Sequence, residues 1–272
     1  WSDPLTISNV HNPSPFTAYL IDTEGLGAYD EEINHDSKIF LISVLISSLF
    51  IYNSVGTLDE NEISNLSFVL NLSKTIKIKS VAIEDKDEDL AKYFPTLLWL
   101  LRDFSLKLED KNGNVITEKQ YLESALRELS GMTNSIEEKN RIRNLIKTYF
   151  PERDCFCMAR PTENEDDLQN LQNLPDSKFR HEFLEQSKIF RNKVMKKTKP
   201  KRLHGKVLTG AMLVEFVKSV LDSINAVVIV VFTSVVIIVV GIVVFATVVI
   251  IIVGIVVFVT VVIIVVGIVV FG

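Results

Sequence analysis

Asp222 is the last charged residue of the chain, and from Ala226 to Gly272 every position is Val, Ile, Gly, Phe, Ala, Thr or Ser. A segment of that composition has no polar face to offer water, so it cannot stand as a soluble unit. The chain therefore divides into 1–225, where charged and apolar stretches alternate, and 226–272, which must be buried in something. The tail repeats with a period of 13, seen in Gly241, Gly254 and Gly267 and in Phe232, Phe245, Phe258 and Phe271. Thirteen steps of about 100° turn a helical position through roughly 220°, and an odd period changes faces on a strand. The repeat thus serves neither packing geometry, and a duplicated short DNA repeat accounts for it. Its 47 residues exceed the roughly 20 that cross a bilayer. A helical transmembrane segment over 226–272 is the expectation, with β-aggregation as the other fate of so Val- and Ile-rich a stretch.

The remainder is bounded by composition. A formal net charge of −5 excludes a globally basic nucleic-acid binder, and no nucleic-acid partner is expected. The two cysteines, Cys155 and Cys157, stand at i and i+2 in an apolar run, where strand alternation points both to one face. They form no disulfide framework and make a poor zinc site, so they read as core residues of a reduced protein. Trp1-Ser2-Asp3-Pro4 has neither the basic start nor the apolar run of a signal peptide.

Short apolar runs alternate with amphipathic stretches along 1–225, the pattern of strand–helix–strand units. Strands are expected at Phe16–Ile21, Leu49–Tyr52, Thr96–Leu101 and Cys155–Met158, and helices at 37–45, 118–130 and 136–149. A further helix starts at Asp59, with Glu62 three residues on, and turns Ile63, Leu66, Val69, Leu70 and Leu72 inward. Near-continuous apolar strands between helices predict an α/β fold with a mostly parallel sheet covered on both faces. Ligands bind such sheets beyond the carboxyl ends of the strands. The segments 85–89 and 163–167 are acidic and read as solvated connections. From Lys188 to Lys206 there are nine Lys or Arg and no Asp or Glu, either a surface helix end and loop or a patch facing phosphates or anionic lipid.

Two strand ends stand out. Asp22-x-x-Gly25 has the form in which a strand-tip Asp holds a Mg²⁺-bound water and the Gly N–H approaches a terminal phosphate. It is equally a strand followed by an acidic turn. Arg102-Asp103 is open in the same way: a surface ion pair, a helix cap, or a carboxylate taking two N–H donors from a guanine.

Four segments in order carry a resemblance. Leu20-Ile21-Asp22-Thr23-Glu24-Gly25-Leu26-Gly27 is similar to the third GTPase box of the guanylate-binding-protein family of large, dynamin-like GTPases. Phe50 to Thr57 resembles that family's next strand, and Phe94-Pro95 through Leu106 its guanine-specificity segment, with Arg102-Asp103 in place of Asn-Lys-x-Asp. Tyr149 to Pro161 resembles the strand before its guanine-covering loop. The resemblance spans roughly 1–225 and implies a P-loop-GTPase-like domain that binds GTP or GDP with Mg²⁺ and hydrolyses GTP. It implies that Asp22 acts on Mg²⁺ through water, Gly25 on the γ-phosphate and Asp103 on guanine, with Arg102 supporting that loop. Glu24 belongs, on the same footing, to the water network around the reaction centre.

The loop G-x-x-x-x-G-K-[ST] is nowhere in the sequence, so a partial GTPase domain, lacking the phosphate loop and inactive as written, is expected. The rival expectation is a non-catalytic, membrane-anchored interaction module on a degenerate GTPase fold. A homodimer through the G domain is a further implied partnership. The tail places the protein at a membrane, and Lys206 and Lys218 ahead of it place the G domain on the cytoplasmic side.

Overall fold

In a computed structural model, the structure describes residues 4–9, 12–23, 42–64, 66, 94–203 and 205–222. The chain divides into two units, Trp1–Ser223 and Ile224–Gly272, and every described residue belongs to the first. The expected transmembrane tail lies outside the described residues. Among the described residues, no helix is long and apolar enough to cross a membrane.

Three strands form the parallel sheet that the apolar runs predict. They are β3 (Leu49–Val55), β4 (Thr96–Arg102) and β5 (Arg153–Cys157), side by side in that order. The helices that follow are α1 (Glu118–Ala125), α2 (Asn134–Tyr149), the short α3 (Glu165–Leu168) and α4 (His181–Lys197). Residues 42–46, 60–64 and 210–222 are also helical. Alternation along the strands sorts the core into two faces. Leu97, Trp99, Leu101, Cys155 and Cys157 pack with Leu122, Leu126, Ile146 and Tyr149 of the α1–α2 side. Leu98, Leu100, Phe156 and Met158 meet Phe183, Phe190 and Val194 of α4 on the other. Both cysteine thiols are buried, free and on one face, as expected. Their mutual hydrogen bond, then burial, pushes the Cys155 thiol up.

Local chemistry sets the ends of the elements. The Asp59 carboxylate accepts the Glu62 N–H at 2.9 Å, which starts the expected helix and buries Ile63 and Leu66. Val69, Leu70 and Leu72 lie outside the described residues. Thr117 and Gln120 cap α1 reciprocally, each side chain accepting the other's backbone N–H. That helix stops at Ala125, not near 130, because Asn140 of α2 takes both the Leu129 N–H and the Leu129 carbonyl, at 2.7 and 2.9 Å. On α2, Arg143 is almost fully buried yet satisfied, bonding the Ala125 and Lys139 carbonyls and ion-pairing with Glu60. The strand β3 runs on through Asn53 and Ser54, where the expectation ended it. Ser54 Oγ there accepts from Trp99 Nε1 at 3.0 Å, a buried bond that ties β3 to β4.

The strand expected at Phe16–Ile21 needs correction. It is β2 (Asn12–Ala18), ends before Tyr19, and pairs antiparallel with β1 (Leu5–Asn9) in a separate two-stranded sheet. Only one of its faces is covered by the described chain, and Tyr19, Leu20 and Ile21 are exposed. A small antiparallel ribbon, β6 (Arg202–Leu203) with β7 (Lys206–Val207), follows α4. The acidic stretch at 163–167 is partly helical, since Asn164 caps α3 through the Asp166 N–H.

Candidate functional site

The carboxyl ends of β3, β4 and β5 converge on Asp103. The residue before it, Arg102, ends β4, and its carbonyl accepts the Gly56 N–H from beyond β3 at 2.7 Å. The residue after it, Phe104, donates its N–H to the Met158 carbonyl beyond β5 at 3.0 Å. Held on both sides, Asp103 adopts φ 55°, the left-handed region that a short polar side chain tolerates best after glycine. Its carboxylate is exposed. Arg102 does not pair with it. The Arg102 guanidinium instead donates through Nε to Asn53 Oδ1 on β3 at 2.8 Å.

A cleft of about 710 Å³ opens beside this turn, lined among others by Asp103, Ser105, Glu118, Arg160, Arg180 and Glu182. Segment 159–186 forms its far wall, and hydrogen bonds from two of its backbone N–H groups fix it. The Ala159 N–H donates to Gln186 Oε1 at 2.7 Å, and the Arg180 N–H to the Pro161 carbonyl at 2.8 Å. Arg160 and Arg180 are paired with Glu165 and Glu182, at 2.7 and 2.9 Å. The Arg160 Nε is buried without a hydrogen-bond partner. Arg180, Glu182 and Gln186 had no sequence signal, because they reach the cleft from the start of α4 and the residue ahead of it, far along the chain.

Of the residues singled out from sequence, Arg102 and Asp103 are together at this edge. Asp22 follows the separate hairpin and is not among the cleft residues. It is exposed and bonds to no other described residue, so its carboxylate oxygens are open to a hydrated cation. Among the described residues, no three His, Cys, Asp or Glu side chains gather as a metal site. Glu24 and Gly25 lie outside the described residues.

A parallel sheet covered on both faces, with a carboxylate at a strand tip beside an open cleft, defines an α/β domain of the class in which strand ends are the place to look for a site. The comparisons with known proteins narrow the class. The family profile described as "Guanylate-binding protein, N-terminal domain" matches residues 1–203. Guanylate-binding protein 7 of Mus musculus is 37% identical over 217 residues, covering 78% of this chain and 34% of that relative. Guanylate-binding protein 4 of Homo sapiens is 37% identical over 215 residues, covering 77% of this chain and 33% of its own length. The chain belongs to the guanylate-binding-protein family. It spans about a third of the length of these relatives, 34% and 33%.

Proposed function

We propose that this chain is the guanine-nucleotide-binding part of a GTPase of the guanylate-binding-protein type. The observation that carries the reading is Asp103: a carboxylate at the tip of the central strand, fixed at φ 55° beside the cleft. Such a group accepts two N–H donors from the edge of guanine and cannot do so from adenine, which presents one donor and one acceptor there. Arg102 supports the turn, and the wall at 159–186 closes over the base.

On this reading Asp22 holds Mg²⁺ through water, and the ion when bound neutralises phosphate charge. A hard oxygen donor open to solvent fits that role, and Asp22 is one. Gly25 and Glu24 serve the γ-phosphate and the attacking water. GTP hydrolysis by the GTPase of which this chain, without its phosphate loop, is a part, a homodimer through this domain and a membrane anchor at 226–272 belong to the same proposal.

The test is equilibrium titration of the chain with GDP, XDP and ADP, before and after Asp103→Asn. Guanine is expected to bind best. The substitution should weaken it by roughly ten- to a hundredfold, the loss of a charge-assisted hydrogen bond, and favour xanthine. An unaltered guanine preference in Asp103→Asn removes Asp103 from the role. No nucleotide binding by the unaltered chain favours the interaction-module reading instead.

A further inference from the structure

Asp103 has a neighbour that could disable it. Arg102 precedes it, is exposed and always charged, and an arginine beside a free carboxylate forms a bidentate pair with it. That pair would occupy the oxygens a base must reach. It does not form here, although both residues are exposed. The Arg102 guanidinium is turned toward β3, where Nε donates to Asn53 Oδ1 at 2.8 Å.

The strand pattern places that acceptor. Along β3, Leu49 and Ile51 pack on the α4 face of the sheet, and along β4 Leu98 and Leu100 do the same. Two residues further on, period-two alternation puts Asn53 and Arg102 on that same face. The apolar rows thus turn polar at the carboxyl end of both strands, where the sheet meets solvent. Asn53 lies opposite Leu100 in the ladder, so it stands diagonal to Arg102, within reach of a long side chain. Both residues are exposed, so the bond contributes little to folding. The strands are already locked beneath it by the buried Trp99–Ser54 bond.

We propose that Asn53 is a positioning residue for base selection: it holds the Arg102 guanidinium on the β3 side and leaves the Asp103 carboxylate free for two donors of one guanine. The inference rests on the reading of Asp103 as the guanine contact. Freed from Asn53, Arg102 swings to Asp103 and takes one or both oxygens. Guanine then keeps at most one of its two hydrogen bonds.

The experiment compares GDP with IDP on the full chain by calorimetric titration. Hypoxanthine keeps the ring N–H of guanine and lacks the exocyclic amine, so the affinity ratio reports the second hydrogen bond alone. The unaltered chain should prefer GDP by roughly tenfold or more. Asn53→Ala should bring the ratio to about one, while Asn53→Asp, which keeps an acceptor for Arg102, should preserve it. General loosening of the fold weakens both nucleotides together and leaves the ratio unchanged. A GDP preference that survives Asn53→Ala overturns the inference alone, as does its loss in Asn53→Asp. Absence of any GDP preference in the unaltered chain overturns the base-binding reading and this inference with it.

Discussion

Lys201 shows how the fold spends polar groups away from the cleft. It follows α4, and its ammonium donates to the Ser47 carbonyl just ahead of β3 at 2.8 Å. Burial pushes its pKa from the ordinary 10.5 down to about 7. The folded value is therefore depressed, and between about 7 and 10.5 the unfolded chain binds more protons than the folded one. Stability gains from that difference as pH rises through this window, and below it the full penalty of a buried charge is carried. Lys201→Met should raise the melting temperature at pH 6 to 7, with the two melting curves converging toward pH 10. A gap that stays constant across that range would show that Lys201 titrates as a solvated lysine. Asp154 is depressed too, and its pH slope has the same sign, but here the charged form is the favoured one. Burial raises its carboxyl, but hydrogen bonds from Lys197 and the Cys155 N–H, with the charges of Lys193 and Lys197, outweigh it and hold the group below the ordinary range. Its contribution is present above the unfolded value of about 3.9 and is lost as pH falls through the folded one.

Among the described residues β5 is an edge strand, and side chains, two of them from helices, take the place of a neighbour. The N–H groups of Asp154, Phe156 and, just past the strand, Met158 face β4, and those of Cys155, Cys157 and the following Ala159 face outward. Side chains take all three outward donors: Asp154 Oδ1 at 2.8 Å, Glu118 Oε1 of α1 at 2.8 Å and Gln186 Oε1 of α4 at 2.7 Å. Lys193 of α4 donates to the Cys155 carbonyl at 2.7 Å. An edge sealed in this way offers no template to another strand. Glu118→Ala leaves the Cys157 donor without its partner and should cost about 1–3 kcal/mol, whereas Glu118→Gln keeps an acceptor and should cost less. Urea midpoints of the two variants decide it, and equal losses would place the effect in the charge and not the hydrogen bond. The strands and caps were legible in the sequence because they are local: apolar runs marked β3, β4 and β5, and Asp59 with Glu62 marked a helix start. The sealing of β5 was not, since its partners stand 27 to 39 residues away and Glu118 and Gln186 look like ordinary helix-surface residues. The hairpin β1–β2 was missed for a related reason. An apolar run fits parallel and antiparallel pairing alike, and only the partner strand decides between them. At the site, Arg102-Asp103 was visible as a strand tip, whereas the role of Asn53 depends on its register with β4.

Charge over the whole molecule revises the meaning of the basic stretch from Lys188 to Lys206. Lys193 and Lys197 reach Asp154 at 3.3 and 2.9 Å, Lys199 reaches Glu152 at 2.8 Å, and Lys188 pairs with Glu185 at 2.8 Å. Lys201 joins them on the Ser47 carbonyl, so much of this stretch is engaged by acceptors of its own domain. Ala226 to Gly272 has the length to cross and no charge to oppose insertion, and Val and Ile contribute favourably on insertion scales. The proposal that the folded domain faces the cytoplasm rests on Lys206 and Lys218, which precede the tail. The two versions to compare are the full chain and a chain ending at Ser223, each fractionated and washed with alkaline carbonate. The full chain should stay with the membranes and the shorter one should be released, with its folded domain digested by protease added from the cytoplasmic face. If both are released, or if the full chain is recovered only as detergent-insoluble aggregate, insertion is wrong and the Val- and Ile-rich repeat acts through β-association instead.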